Sequence, residues 1–287
     1  MLYPTISDYW NSFHQSRAIM TYMEDVASMD EENYQEVIAS AREYNQEISD
    51  HGIKWEMTEE EKADYEKELS TSRTGIMGYL QIEKIDLMLP IYHGIEEKVL
   101  QTSIGHIAGT SLPVGCASFN SATGELEDSH ESNHIVLSGH RGLPSAKLFT
   151  NLDKLVEGDT FQITVLNETY NYEVDQIRIV LPEDLSNITL ETGKDYCTLV
   201  TCTPYGINTH RLLVRGHRTA NSNGDQNVIA DAIQIDRLYV APFIGIPIVT
   251  VLLIILIIVT ANRRKRAQIL REMEESLKNR DSEVKKE

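Results

Sequence analysis

The sequence is short of positive charge. Its 287 residues include 26 lysines and arginines against 44 aspartates and glutamates, which gives a net charge of -18. A protein that binds a nucleic-acid backbone needs basic surface to displace the counterions of the phosphates. The composition therefore argues against nucleic acid as a partner. Hydrophobic residues make up 41% of the chain, which is enough for a core in one large domain with appendages or in two modest domains.

Cysteine is scarce as well. The only three are Cys116, Cys197 and Cys202. Three thiols cannot all pair within one chain, and no second pair of cysteines or histidines stands at the spacing of a zinc site. At least one thiol is therefore left over, either as an inert buried side chain or as a nucleophile.

The start of the chain, MLYPTISDYWN, lacks a basic and apolar leader. The one long apolar run lies near the other end and predicts a transmembrane helix over 238–262 rather than a buried helix of a soluble protein. The basic stretch 262–266 predicts a cytoplasmic tail over 263–287 and, before residue 238, a domain outside the cell. Such a domain must be exported, so we expect either that the C-terminal helix directs export or, preferably, that a hydrophobic segment precedes this start.

The chain divides by pattern into a helical and a β-rich part. Over 1–75, apolar residues recur at helical spacing, and Thr58 with Glu61 forms the capping box of a further helix. The connection 48–57 separates these helical patterns. Over 76–220, short β-type runs alternate with turns, which is typical of a sandwich or closed barrel. A linker is predicted over 221–237.

The segment TLVTCTPYGINTHRLLVRGHR carries the first chemical signal. It predicts two strands, with Cys202 at the end of the first and Arg211 at the start of the second. A strand-end thiol beside a cation can form a thiolate that attacks acyl groups. If the strands pair antiparallel, Arg211 returns towards Cys202 and can hold a carbonyl or oxyanion. On spacing alone, however, a single arginine at a strand start is more often a solvated charge.

A histidine completes this set. His140, in HIVLSGHRG, ends an apolar strand before a glycine turn. Histidine can pair with a thiolate and protonate a leaving amine. The chain has nine histidines, and periodicity alone does not select this one.

Four stretches of the sequence together resemble a known family. LSGHRG, TLVTCTPYGINTHRLLVRG, LPIYHG and GHIAGTSLPVG look like the sortases, and most closely like class C, the pilin-polymerising transpeptidases of Gram-positive bacteria. YPTISDYWN near the start and the C-terminal apolar run are also usual for that class. The resemblance covers nearly the whole chain and is most specific in the Cys-to-Arg segment.

The resemblance implies a mainly β fold: a closed eight-stranded sortase-type barrel with N-terminal helices and a C-terminal transmembrane helix. Cys202 would be the nucleophile, His140 the general acid and base, and Arg211 the carbonyl and oxyanion clamp. The partners would be pilins or surface proteins with an LPxTG-type signal, cleaved between Thr and Gly, and the acceptor would be a pilin lysine amine. No metal or organic cofactor would be needed. Candidate substrate-groove residues are Thr201, Thr203, Asn208 and Thr209.

Two departures from the family pattern and several alternatives remain. One departure is the missing N-terminal hydrophobic segment noted above, and the other concerns the lid. Class C members usually carry a lid with an Asp-Pro-aromatic motif, whereas this chain has Asp50 followed by histidine, with Trp55 further on. Asp50 and Trp55 are the lid candidates, although Trp55 equally suits ordinary packing. A sortase that anchors proteins to cell-wall peptidoglycan is the nearest alternative function, and a cysteine protease is another. A non-catalytic, membrane-tethered binding domain is the alternative from a different class.

Overall fold

The structure, a computed structural model, describes residues 3–120, 122–128, 130–220, 246, 249–263 and 265–266. The chain divides into two units, residues 1–230 and 231–287. The predicted linker over 221–237 and nearly all of the predicted tail over 263–287 lie outside the described residues.

The first unit opens with three helices: α1 (Tyr3–Ala27), α2 (Glu31–His51) and α3 (Glu59–Tyr65). Asp30 begins α2 by accepting a hydrogen bond from the Asn33 amide at 2.9 Å. The capping box predicted at Thr58 and Glu61 is present, because a threonine hydroxyl and a glutamate carboxylate satisfy amides that the first turn leaves free. The buried Tyr22 holds α1 to the sheet, since its hydroxyl donates to the Met77 carbonyl at 3.0 Å.

Eight strands close into a barrel in the order β1-β2-β3-β6-β9-β10-β8-β7, which confirms the predicted mainly β, eight-stranded architecture. Neighbours pair antiparallel, except that β2 pairs parallel with β3 and β6 pairs parallel with β9. The barrel strands are β1 (Ile76–Ile82), β2 (Leu87–His93), β3 (Ile104–His106), β6 (Asn133–Gly139), β7 (Thr160–Val165), β8 (Glu168–Val180), β9 (Asp195–Thr203) and β10 (His210–Thr219).

Several short elements lie between the barrel strands. The strands β4 (Phe119–Asn120) and β5 (Glu125–Leu126) form a separate hairpin, and a helix α4 (Glu97–Leu100) lies between β2 and β3. The helical insertion that follows β6 is a 3₁₀ helix over Leu148–Lys154. Its Phe149 side chain is fully buried, so the insertion is anchored in the core next to the end of β6.

The prediction of a membrane-spanning helix over 238–262 is contradicted. Residues 249–263 are helical with exposed side chains, but a bilayer crossing takes about 20 consecutive apolar residues in one helix. Within the described residues, no helix is both long enough and apolar enough to cross a membrane. The predicted single-pass topology, with an outside catalytic domain and a cytoplasmic tail, is therefore contradicted as well.

Candidate active site

The register of β9 and β10 brings two of the predicted site residues together. These strands pair antiparallel, and Arg211 lies directly opposite Cys202. Directly opposed residues of an antiparallel pair present their side chains on the same face. Cys202 and Arg211 therefore share one face at the ends of their strands, where the exposed loop 204–209 joins them.

The neighbouring strand brings the third residue to the same place. β6 runs parallel to β9, with Val136 opposite Thr198 and Ser138 opposite Val200. Extending this register by two residues places His140 next to Cys202. The His140 carbonyl accepts a hydrogen bond from the Phe149 amide at 3.0 Å, so the first turn of the 3₁₀ helix holds the backbone at this position.

The His140 imidazole faces a carboxylate that the sequence did not suggest. Its Nε2 lies 3.5 Å from Glu97 Oε2, with the histidine side chain 28% exposed and the glutamate 69% exposed. A hydrogen bond from Gln101 is the main cause that lowers the pKa of Glu97, and His140 lowers it further. Glu97 lies in the short helix α4, far from His140 in the chain, so no local sequence pattern connects the two.

Cys202 is the accessible thiol of the three. It is half-buried, whereas Cys116 and Cys197 are buried. Burial raises the pKa of the Cys116 and Cys197 thiols, because a thiolate is poorly solvated in an apolar interior. The buried thiols of Cys116 and Cys197 are therefore poor candidates for a nucleophile, which leaves the accessible thiol of Cys202.

The Arg211 guanidinium has donors left for a further hydrogen-bond acceptor. Its Nη1 donates to the carbonyls of Asn208 and His210 at 3.4 and 3.3 Å. Both contacts are long, and within the described residues the structure gives hydrogen bonds for Nη1 alone. The rest of the guanidinium fork is free to bind a carbonyl oxygen or an oxyanion.

The face that carries these polar groups continues as an apolar surface. Val200 and Leu213, two residues beyond Cys202 and Arg211, belong to one buried cluster on this face. The cluster is Val136, Ile188, Val200 and Leu213, with Ile53, Ile107 and Val180 packed against it. The thiol, the imidazole and the guanidinium therefore lie at the edge of a packed apolar cluster.

Of the predicted lid candidates, Asp50 lies in the last turn of α2 and Trp55 in the connection that follows it. Asp50 accepts a hydrogen bond from Gln46 within α2, at 2.9 Å, and Trp55 is 42% exposed. Ile53 is the residue of this connection that packs against the Val200 and Leu213 cluster. The Lys54 amide, which donates to the Gly109 carbonyl at 2.9 Å, holds the connection to the barrel.

Two of the four groove candidates do not share the Cys202 face. Side chains alternate along a strand, so Thr201 and Thr203 point to the other side of β9. Both are buried, at 2% and 7% exposure. Their prediction as groove residues is corrected, because each hydroxyl bonds within the protein: Thr201 to the Gly139 carbonyl and Thr203 to Arg141.

Asn208 and Thr209 are exposed, as a groove rim requires. Asn208 adopts a left-handed backbone conformation with φ 62°, which asparagine tolerates better than most residues. The Thr209 hydroxyl lies 2.9 Å from His210 Nδ1. Among the described residues, no group of three or more His, Cys, Asp or Glu side chains is arranged to hold a metal ion.

The barrel region matches known proteins in sequence and in fold. The Sortase domain family matches residues 80–219. Sortase D of Bacillus subtilis (strain 168) is 30% identical over 144 residues, which cover 49% of this chain and 63% of that protein. The match therefore spans somewhat less than two thirds of that relative.

Solved structures extend the likeness. Sortase C1 from Streptococcus agalactiae is 54% identical with a TM-score of 0.65, and the match covers 72% of this chain and 100% of that structure. Sortase C1 of GBS pilus island 1 is 36% identical with a TM-score of 0.61, covering 74% of this chain and 95% of that structure.

Proposed function

Because this chain belongs to the sortase family, we propose that it is a cysteine transpeptidase that joins pilin subunits. It cleaves an LPxTG-type sorting signal between Thr and Gly and transfers the acyl group to a lysine amine of another pilin. The observation that carries the proposal is the register that pairs Cys202 with Arg211 and extends to His140 on the next strand. The similarity to a sortase C1 of a pilus island supports pilin as the substrate.

The first half-reaction transfers the acyl group to the protein. The Cys202 thiolate attacks the threonine carbonyl carbon, and a tetrahedral intermediate forms with its negative oxygen held by the Arg211 guanidinium. The C–N bond to glycine then breaks, and His140 gives its proton to the departing amine. The products are a thioester on Cys202, a neutral imidazole and a free peptide with an N-terminal glycine.

The second half-reaction returns the groups to their starting state. The lysine amine attacks the thioester carbonyl, and Arg211 again holds the oxygen that becomes negative. His140 takes the surplus proton of the amine, and the C–S bond breaks to release the Cys202 thiolate. An isopeptide bond joins the two subunits. Water in place of the amine gives hydrolysis, so access of the acceptor decides between polymer and free acid.

The test is polymer formation in a defined mixture. The full chain is incubated with a pilin subunit that carries an LPxTG-type signal, and denaturing gels are examined for a ladder of covalent multimers. Cys202→Ala is the nucleophile control, and Cys116→Ala is the matched control at a buried thiol. We expect a ladder with the unsubstituted protein and with Cys116→Ala, and none with Cys202→Ala.

A second arm identifies the acceptor. Reductive methylation of the pilin lysines should abolish the ladder while the thioester adduct on Cys202 remains visible by intact mass. A thioester with no ladder from unmethylated pilin would contradict polymerisation and point to another amine, such as a cell-wall precursor. Absence of both the thioester and the ladder would overturn the transpeptidase assignment.

A further inference from the structure

The residues on either side of His140 are bonded to the residues on either side of Cys202. The Thr201 hydroxyl donates to the Gly139 carbonyl at 2.7 Å. On the other side, Arg141 Nη1 donates to the Thr203 hydroxyl at 3.1 Å. These two contacts cross between β6 and β9 where both strands end, so they brace the part of the fold in which His140 and Cys202 meet.

The Arg141 guanidinium is held by more than one partner. Its side chain is only 8% exposed, and its Nη2 lies 2.5 Å from Asp153 Oδ2. A buried guanidinium is costly unless it is paired and hydrogen-bonded. Asp153 belongs to the same 3₁₀ helix whose Phe149 amide bonds the His140 carbonyl, so the contact joins this helix to the end of β9.

A surface groove of about 400 Å³ lies beside this contact. It is bordered by Arg141 and Thr203 and, on its apolar wall, by Leu152, Ile177 and Leu212. The hydrogen bonds of Arg141 therefore lie at the edge of an open groove rather than deep in the core.

We propose that Arg141, held between Thr203 and Asp153, is a positioning residue that keeps the His140 imidazole in register with the Cys202 thiol. Arg141 touches no reacting atom in this scheme. It acts through the backbone of the residue that precedes it, and Thr203 links it to the strand of the nucleophile. The inference rests on the proposed roles of Cys202 and His140. It adds a positioning role for Arg141, which can be tested without any pilin.

The test uses a matched pair of substitutions in the full chain. Thr203→Val keeps the shape of the side chain and removes the oxygen that Arg141 bonds, whereas Thr203→Ser keeps the oxygen. Misplacing a catalytic group by a fraction of an ångström lowers turnover without weakening substrate binding. We expect kcat for cleavage of an LPxTG-type peptide to fall roughly tenfold or more in Thr203→Val with KM unchanged, and to stay within about twofold in Thr203→Ser.

Alkylation of Cys202, which needs no substrate, tests whether Thr203 and Arg141 act on the thiol through His140. Cys202 is the accessible thiol, so the rate of alkylation by iodoacetamide against pH reports its surroundings. We expect Thr203→Val to move this profile towards that of His140→Ala, and to change nothing further when both substitutions are combined. Asp153→Asn, which removes the charge that holds Arg141, should move the profile in the same direction. Thermal melting confirms that each variant is folded.

Two results would overturn the proposal. Thr203→Val could leave both kcat and the alkylation profile unchanged, or it could alter the profile equally with and without His140, which is the behaviour of a purely structural residue. If His140→Ala leaves the alkylation profile unchanged, the pairing of Cys202 with His140 fails, and the positioning role fails with it. Failure of pilin polymerisation alone, with the alkylation results as expected, would remove the pilin substrate and leave the positioning role standing.

Discussion

Strands β6 and β9 each carry the same kind of side chain in two settings. In β6, His134 is fully buried, whereas His140, just past the end of the strand, is 28% exposed. In β9, Cys197 is fully buried, whereas Cys202 is half-buried. The two strands run parallel, so the buried pair lies at one end of the strands and the accessible pair at the other.

The contacts at the buried end explain the difference. His134 is held by the Thr189 carbonyl and the Thr198 hydroxyl, each at 2.7 Å. Near Cys197, the buried Asp195 accepts hydrogen bonds from the Cys116 amide at 3.0 Å and the Tyr172 hydroxyl at 3.2 Å. A side chain at this end has its polar partners supplied by the fold and no room for a substrate. The same residue types become chemically available at the other end because the strands stop there.

The largest expected effect separates the two thiols of β9. Cys202→Ala should reduce transpeptidation to background, because no other accessible thiol exists among the described residues to form the thioester. Cys197→Ala should leave most activity in the folded protein, since its thiol is buried and burial raises its pKa. Thioester formation by intact mass and product by gel are the measurements. Full activity in Cys202→Ala would show that the mechanism is wrong.

The next effect concerns Arg211, which lies opposite Cys202 at the accessible end. Arg211→Lys should lower kcat about a hundredfold, because a lysine ammonium is a point charge that cannot reproduce the planar fork on the oxyanion. Single-turnover cleavage of an LPxTG-type peptide measures the loss. Near-normal turnover would remove Arg211 from its role in the proposed reaction.

The buried end should respond to acid instead. Burial lowers the pKa of His134 from 6.5 to about 4, and the charged groups facing it are Arg215, Glu191 and Asp175. Because the folded pKa lies below the ordinary one, protonation favours the unfolded chain. Stability present above pH 6.5 is therefore lost as the pH falls towards 4, by about 2 kcal/mol at pH 5.

Chemical denaturation at pH 7 and pH 5 measures this loss. His134→Gln should show a smaller difference between the two pH values than the unsubstituted protein, by about 2 kcal/mol. His106 is also buried, with its pKa lowered to about 4, but it titrates in both proteins and cancels in the comparison. An equal acid sensitivity in the variant would show that His134 is not the residue responsible.

The smallest effect tests whether the two ends are independent. Tyr172→Phe removes the hydroxyl that donates to Asp195 at 3.2 Å, and should lower the free energy of unfolding by about 1 kcal/mol. The alkylation rate of Cys202 should stay unchanged, since the lost contact lies at the buried end. A changed rate would mean that contacts at the buried end also affect the reactivity of Cys202 at the accessible end.

Much of this arrangement was predictable from the sequence because it is local. The turn that contains Pro204 predicts a strand end at Cys202, and β9 ends one residue later at Thr203. The glycine turn after His140 predicts a strand end there, and β6 ends at Gly139. Antiparallel pairing, the condition under which Arg211 returns towards Cys202, is present. The capping box at Thr58 follows from residue types at fixed spacing, as does the start of α3 at Glu59.

The misses have separate causes. Thr201 and Thr203, named as groove candidates, flank Cys202, and flanking residues of a strand face the other way. Glu97, Asp153 and Arg141 gave no signal, because their partners come from other elements. The apolar run near the C-terminus predicted a membrane helix by its composition, and the helix that the structure describes there is not long and apolar enough.

The sequence by itself determined the strand ends, the residue types on them and the resemblance to the sortases, because periodicity and turn residues act over a few positions. Only the tertiary structure decided which thiol and which histidine are accessible. That outcome depends on the parallel pairing of β6 with β9 and on the burial of one end, both of which join residues far apart in the chain. The pKa of a side chain depends on its burial and its neighbours. Both are set by residues that are distant in the sequence and become close only when the chain folds.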